Sequence, residues 1–436
     1  MIANLARHRT ENRVGLYAWG GPDTIRMTRL KYGDRSRVDE ASFLTLYDPP
    51  ALAHLRGTLG VTDMWVTFSW GFGDAAEREQ RSFLRSKLPN FRAAGIATHA
   101  YVQGFNVVTD DFSERDFFCR DTRGRLLPYS RQRSLICPNA PQTLALLTER
   151  VRAACNEDVD GIFIDNMLFG LPPTAVYGDY LPPFGCACRW CREAFLQRYG
   201  EPLPMRGFRG RTAIGNMLRF RAESVSRAIG ACSGIVRERG KQFGVNLYDP
   251  LHHTPEVFFG YGLASLDPHL DYRLIENHAL RRDGSLENDH LAPLIDGTKP
   301  LFVVSYRKGI GRDGAYAQRD IDAIIGDAQR IGYAPCLKAS EYVTRGIWHA
   351  LRWESIAMPG ETLRASHARK TPSDIAPKRS TAWRRATAYW TNACIRSAAR
   401  GAFAWGPMRA IIARSPLYTY IVRRPRRFCM QEWGLS

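Results

Sequence analysis

Eight short runs of apolar, β-branched and aromatic residues recur along the chain, separated by stretches in which apolar residues return every three or four positions. The runs are RVGLYAWG (residues 13–20), DMWVTFSW (63–70), GIATHAYVQG (95–104), DGIFIDN (160–166), KQFGVNLYD (241–249), DYRLIEN (271–277), PLFVVSY (300–306) and YAPCLKASE (333–341). Each reads as a buried strand followed by a helix-like stretch. REQRSFLRSKLPNFRAAG precedes the third run and PQTLALLTERVRAACN the fourth, both with apolar residues at helical spacing. Strands alternating with helices predict a parallel sheet, and eight such units predict closure into a (β/α)8 barrel, an α/β fold taking residues 10–344.

A doubly wound sheet is the rival architecture. GIGRDG, Gly309 to Gly314, matches G-x-G-x-x-G directly after a predicted strand. It follows the seventh strand rather than the first, however, and Asp313 in its loop would repel a pyrophosphate, so it reads as a flexible loop. After Thr344 the periodicity lapses into a polar linker, residues 345–380. Residues 381–436 then form an Arg- and Trp-rich extension expected to be mainly helical. Trp383, Ala386, Trp390, Ala393 and Cys394 fall on one helical face, with Arg384, Arg385 and Arg396 off it.

A chain of 436 residues, 44% hydrophobic, exceeds the usual size of one compact domain, which agrees with a barrel plus an appendage. The net charge of +18 is uneven: from Arg345 onward 17 Lys and Arg face 4 Asp and Glu. That basic extension is expected to lie against an anionic surface, the inner face of a membrane, where Arg pairs with phosphates and Trp rings enter the headgroup boundary. No nucleic-acid-reading module accompanies the charge, which argues against a nucleic-acid partner. The first residues, MIANLARHRTENRVGLYAWGG, hold no apolar core of signal-peptide length, and no stretch has the uncharged length of a membrane span. The expectation is a cytoplasmic protein, peripheral to the membrane through its extension. Its ten cysteines show no even framework and are expected to be mostly reduced thiols.

CACRWC, Cys186 to Cys191, places three thiols in C-x-C-x-x-C, a spacing that converges on one point and suits a tetrahedral ion with one ligand missing. Cys137, after the third run, is the first candidate for the fourth ligand, because neighbouring strands of a barrel share a rim; Cys119 is the second. A cluster of metal-free thiols is the alternative. ICPNAP, a strand ending in DN and then CACRWCREAFLQRYG resemble glycoside hydrolase family 42, the β-galactosidases whose barrel carries a cysteine-bound structural zinc. They resemble still more the loosely defined hypothetical glycoside-hydrolase barrels with a DG-x-x-x-D fourth strand and a cysteine-bearing loop. The resemblance covers residues 95–200 and implies Cys137, Cys186, Cys188 and Cys191 as the zinc ligands. The chain departs from family 42 at the chemistry: Met167 follows Asn166 where that family has its acid/base Glu, and VVSYRKG on the seventh strand has no Glu.

Glycoside hydrolysis uses two carboxyl groups flanking the scissile bond, and in a barrel they belong at the C-terminal ends of strands. Asp165 ends the fourth run and Glu276 the sixth, an arrangement similar to α-galactosidase-like barrels, with Asp165 as nucleophile and Glu276 as acid. Glu341 and Asp249 hold comparable rim positions, and a purely structural Asp165 is the alternative. Trp19, Trp70, Tyr101, Tyr248 and Tyr306 at strand ends are candidates to stack on sugar rings. Asn166, Asn246, Asn277, His278, Lys338 and Glu341 are candidates to bond sugar hydroxyls. His99, within the third run, reads as a core histidine. The expected function is a glycoside hydrolase or related carbohydrate-active enzyme; the competing one is an inactive glycan-binding or scaffold barrel in polysaccharide assembly.

Overall fold

In a computed structural model of the protein, the structure describes residues 13–33, 40–130, 132–169, 186–205, 211–248, 259–277, 280, 284–286, 288–306 and 316–339. All eight runs form strands: β1 (Gly15–Ala18), β2 (Asp63–Ser69), β3 (Ala97–Gln103), β4 (Gly161–Asp165), β5 (Gln242–Val245), β6 (Arg273–Asn277), β7 (Leu301–Ser305) and β8 (Ala334–Lys338). Their order is β5-β4-β3-β2-β1-β8-β7-β6, every neighbour parallel. The two ends of that order meet. Asn246 stands opposite Leu274 in a parallel bridge, Leu247 N donates to Leu274 O at 2.9 Å, and Asp271 N donates to Phe243 O at 2.8 Å. The fold is therefore a (β/α)8 barrel whose β5–β6 seam is its thinnest join, and the doubly wound alternative is excluded.

The outer layer is uneven. Asp74–Ala94 after β2 and Pro141–Cys155 before β4 are helices where the apolar spacing predicts them, and Arg211–Glu238 and Gln318–Ile331 lead into β5 and β8. After β5 and β6, by contrast, the described residues hold only a helical turn, Leu263–Leu266, running into the 3-10 turn Asp267–His269, and a 3-10 segment, Asp289–Leu294. Among the described residues of these two connections no helix longer than these turns follows the strand, and residues 249–258, 278–279, 281–283 and 287 lie outside the described residues. Pro268 and Pro293 lie within these turns and each removes a backbone donor.

The barrel interior is filled by large rings. Trp65 Nε1 donates to the Tyr272 hydroxyl at 3.1 Å, and Trp65 lies edge-on to Phe302 and Phe163. Room for this comes from Gly244: a Cβ there would meet the Tyr272 ring at 2.3 Å. His99 is a core residue, stacked on Trp65, with Nε2 on Asp63 Oδ1 at 3.1 Å. Burial pushes the Asp63 carboxyl up, but His99 and Arg13 outweigh it and hold the group well below the usual carboxylate range.

Between β3 and β4 lies a three-stranded antiparallel insertion, Asn106–Val108, Arg133–Leu135 and Pro128–Ser130 in that spatial order. It carries Tyr129 and leads into Cys137. Among the described residues no helix is long and apolar enough to cross a membrane. The 309–314 glycine loop, Asp249, the linker and the basic extension lie outside the described residues.

Candidate functional site

The C-terminal ends of four strands, β1, β3, β4 and β5, converge on Asp165. Strand alternation puts Tyr17 of β1, Tyr101 of β3 and Asp165 of β4 on the inward face. Asp165 Oδ2 accepts from the Tyr17 hydroxyl at 2.8 Å and the Tyr101 hydroxyl at 2.9 Å. Its Oδ1 accepts from Asn166 N at 2.6 Å, Asn246 Nδ2 at 3.0 Å and the Tyr248 hydroxyl at 3.1 Å. The carboxylate is 3% exposed. Backbone geometry holds it there. Gly104, just past β3, donates its N–H to Asp165 O at 2.7 Å, and a Cβ at that position would meet the same oxygen at 2.5 Å. Asn166 and Tyr248 both adopt left-handed φ, 56° and 42°. For an aromatic residue that is a strained conformation, of the kind that clusters at sites where a side chain must be aimed.

Glu276, at the end of β6, faces the same centre. Its Oε1 accepts from the Tyr306 hydroxyl at 2.5 Å and from Lys338 Nζ at 2.7 Å, and its Oε2 from Asn246 Nδ2 at 2.8 Å. Asn246 is thus a shared donor. With one nitrogen bonded to an oxygen of each carboxylate, those oxygens lie within about 6 Å of each other. Lys338 is 2% exposed and sits between rings, its ammonium 3.6 Å from the Tyr306 centroid and 4.8 Å from that of Trp19.

Burial and then the Glu276 charge push the Asp165 carboxyl up, while hydrogen bonds from Tyr17, Asn166 N and Tyr101 pull the other way. Burial and the Asp165 charge also raise the phenols of Tyr17, Tyr101 and Tyr248 well above their usual range, which keeps them protonated and able to donate.

The structure brings together Asp165, Glu276, Asn166, Asn246, Tyr101, Tyr248, Tyr306 and Lys338. Trp19 and Trp70 close the β1–β2 side: their rings lie 5.2 Å apart, Trp70 lies 4.8 Å from Tyr101, and Trp70 Nε1 donates to Thr24 Oγ1 at 3.0 Å. Both tryptophans are buried, so their faces meet neighbouring side chains. The Asn277 side chain, His278 and Glu341 lie outside the described residues. Tyr17 and Tyr129 are additions that the sequence reading lacks. Tyr17 stands two residues before Trp19, and period-2 alternation alone puts it on the same face. Tyr129, which donates to Asn166 Oδ1 at 2.5 Å, comes from the insertion, and no local pattern announces it.

A second cluster lies beside this site. Cys137, Cys186, Cys188 and Cys191 are buried with all four sulfurs within 4.8 Å of one another, Cys137 Sγ being 3.3 Å from Cys191 Sγ and 3.6 Å from Cys188 Sγ. A tetrahedral ion with metal–sulfur bonds of about 2.3 Å would need sulfurs about 3.8 Å apart, so the cluster fits a metal ion. Its surroundings suit thiolates as well. Arg120 N and Cys188 N point at Cys186 Sγ at 3.3 and 3.4 Å, and Asn139 Nδ2 at Cys191 Sγ at 3.4 Å. Cys188 caps the N-terminus of the helix Arg189–Tyr199, whose dipole favours negative charge there.

No protein-family model matches the chain, and no curated protein matches it. Among solved structures it is similar to the catalytic domain of a β-amylase from Paenibacillus polymyxa, at 11% identity and a TM-score of 0.47, over 76% of this chain and 92% of that one. It is also similar to α-L-fucosidase isoenzyme 2 from Paenibacillus thiaminolyticus, at 14% identity and a TM-score of 0.49, over 76% of this chain and 46% of that one. A third is a β-galactosidase from the psychrophilic Marinomonas ef1, at 12% identity and a TM-score of 0.49, over 75% and 53% of the two chains. The chain spans about half the length of the last two. These likenesses concern the fold, and the activities in their names belong to those proteins.

Proposed function

We propose that the protein is a glycoside hydrolase or related carbohydrate-active enzyme, acting on a glycan or polysaccharide, whose two carboxyl groups are Asp165 and Glu276. One observation carries the reading: two acidic side chains from the ends of β4 and β6 are held by the single amide of Asn246. The bridged oxygen pair, within about 6 Å, is compatible with the retaining class, in which the carboxyl groups stand about 5–5.5 Å apart. Around the pair, Tyr248, Tyr306 and Asn166 are the candidates to meet sugar hydroxyls and ring faces, with Trp19, Trp70 and Tyr101 forming the wall behind them.

The cysteine cluster, on this reading, holds a structural zinc through Cys137, Cys186, Cys188 and Cys191. Four thiolates leave no coordination position for water, so the ion supplies rigidity to the rim and takes no part in the chemistry. The proposed organisation is a barrel over residues 10–344, a linker over 345–380 and a basic extension over 381–436 that attaches to an anionic membrane surface.

A second reading, an inactive glycan-binding barrel, is favoured by the five donors that surround Asp165, since they make it a well-satisfied structural carboxylate. Hydrolysis of a panel of aryl glycosides and polysaccharides by the wild type, Asp165→Asn and Glu276→Gln decides between them. Turnover by the wild type that falls on the order of 1,000-fold in both variants supports the enzyme. Glycan binding by all three proteins without turnover supports the binding barrel.

A further inference from the structure

The two carboxylates differ in what surrounds them. Glu276 holds a buried cation, Lys338, whose ammonium is boxed between Tyr306 and Trp19 and cannot swing to water. Protonating Glu276 would leave that ammonium without its counter-charge in the barrel interior, a costly state. Asp165 has no such tie. Among the described residues its bonded donors are all neutral, and the guanidinium of Arg133 acts on it only from a distance, its own NH2 being bonded to Trp70 O at 2.7 Å.

The Asp165 shell is also adjustable. Tyr101 has one proton and two acceptors in reach, Asp165 Oδ2 at 2.9 Å and Gln103 Oε1 at 3.1 Å. Tyr248 likewise has Asp165 Oδ1 at 3.1 Å and Asn166 Oδ1 at 2.7 Å. When Asp165 is ionised, both hydroxyls can donate to it. When Asp165 carries a proton, either hydroxyl can accept that proton and turn its own to Gln103 or Asn166. Asp165 can therefore gain and lose a proton without stranding a buried partner, which is what a general acid and base requires.

We infer that Glu276 is the carboxylate that stays ionised and attacks the anomeric carbon, that Asp165 carries the proton, and that Lys338 is the positioning residue that fixes this division. The inference rests on the glycosidase reading and reverses the roles expected from strand position alone. The direction of the Asp165 shift, upward through burial and the Glu276 charge, agrees with it. The groups facing the pair are Lys338 from β8, Tyr306 after β7, Tyr17 from β1, Tyr101 from β3, and Asn246 and Tyr248 after β5. Among the described residues Lys338 is the cation bonded to either carboxylate. In the first step a Glu276 oxygen bonds to C1 as the C1–O bond to the leaving group breaks, and the leaving oxygen takes the Asp165 proton. Water then gives a proton to Asp165 and its hydroxyl to C1, releasing Glu276 as the anion. One glycosidic bond is hydrolysed by one water.

The test uses the full chain and a panel of 2,4-dinitrophenyl 2-deoxy-2-fluoroglycosides, with peptide mass mapping of the labelled residue. The label is expected on Glu276; a label on Asp165 overturns the inference and leaves the glycosidase reading intact. Dinitrophenolate leaves without a proton. Asp165→Ala should therefore form the glycosyl-enzyme from the corresponding dinitrophenyl glycosides within about tenfold of wild type, while losing alkyl glycosides on the order of 1,000-fold. Glu276→Ala should lose both. In Lys338→Met the acidic limb of kcat/KM should move to higher pH by about one unit, and Lys338→Arg should restore it. An unmoved limb in a folded Lys338→Met overturns the positioning role, and the labelling result needs no variant. A wild type that neither hydrolyses nor is labelled by any glycoside overturns the glycosidase reading, and this inference with it.

Discussion

Asn246→Asp is the sharpest probe of the site's geometry. Asn246 is fully buried; its amide nitrogen donates to Asp165 Oδ1 at 3.0 Å and Glu276 Oε2 at 2.8 Å, and its amide oxygen accepts from Tyr248 N at 3.0 Å. The substitution keeps the shape and turns the shared donor into an acceptor between two acceptors. A hydrogen bond to the ionised Glu276, worth about 1.5–3 kcal/mol, and one to the protonated Asp165, worth about 0.5–1.5 kcal/mol, are lost. The new carboxyl escapes the full repulsion by taking a proton, which restores one of the two bonds. The bond not restored costs about 1 kcal/mol and holding a proton about three pH units above the ordinary carboxyl value about 4 kcal/mol, so the expected net loss near neutral pH is about 5 kcal/mol, which in a barrel of this size lowers Tm by roughly 7 °C. The pH dependence has a definite sign. A carboxyl buried between two others has a folded-state pKa above its unfolded value. It therefore destabilises most at pH above that raised value, and the deficit shrinks as pH falls towards the unfolded carboxylate range of about 4. Asn246→Leu loses the same bonds without adding a charge and should depend less on pH. Urea and thermal unfolding across mildly acidic to neutral pH measure all three proteins. An Asn246→Asp protein within about 1 kcal/mol of wild type at neutral pH, or a deficit that grows on acidification, would refute the convergence of both carboxylates on this amide.

Metal analysis of protein purified under reducing, chelator-free conditions should find about one zinc per chain, and Cys188→Ser should lower both that content and Tm; a metal-free wild type rejects the zinc. Gly244→Ala should destabilise the barrel by about 1–3 kcal/mol, because its Cβ would meet the Tyr272 ring at 2.3 Å, and an unchanged midpoint in urea would contradict that close approach. Truncation at Ser380 should abolish flotation with anionic but not neutral liposomes; equal recovery on both vesicle types, or binding unaffected by truncation, removes the membrane role.

Much of this architecture is legible from residue order alone. The eight strands follow from runs such as DMWVTFSW and PLFVVSY, because a strand buried on both faces is apolar along most of its length. The positions of Asp165 and Glu276 follow too, since a carboxylate ending such a run has to stand at a strand terminus. That a cysteine between the third and fourth strands meets Cys186, Cys188 and Cys191 is legible from the adjacency of those strands, but that Cys137 rather than Cys119 completes the group of four is decided only by the structure. What the order of residues leaves open is what surrounds each charge. Lys338 reads as one more polar rim residue; only closure of the sheet puts it on Glu276, 62 positions away in the chain, with its ammonium walled in by Tyr306 and Trp19. Tyr17 reads as part of an apolar strand until its hydroxyl is found on Asp165, 148 positions on. The physical reason is the same in both cases. Apolar burial is a local, non-directional requirement that leaves its period in the sequence, whereas a hydrogen bond is directional and pairwise, and its partner is chosen by register and barrel closure rather than by neighbours along the chain.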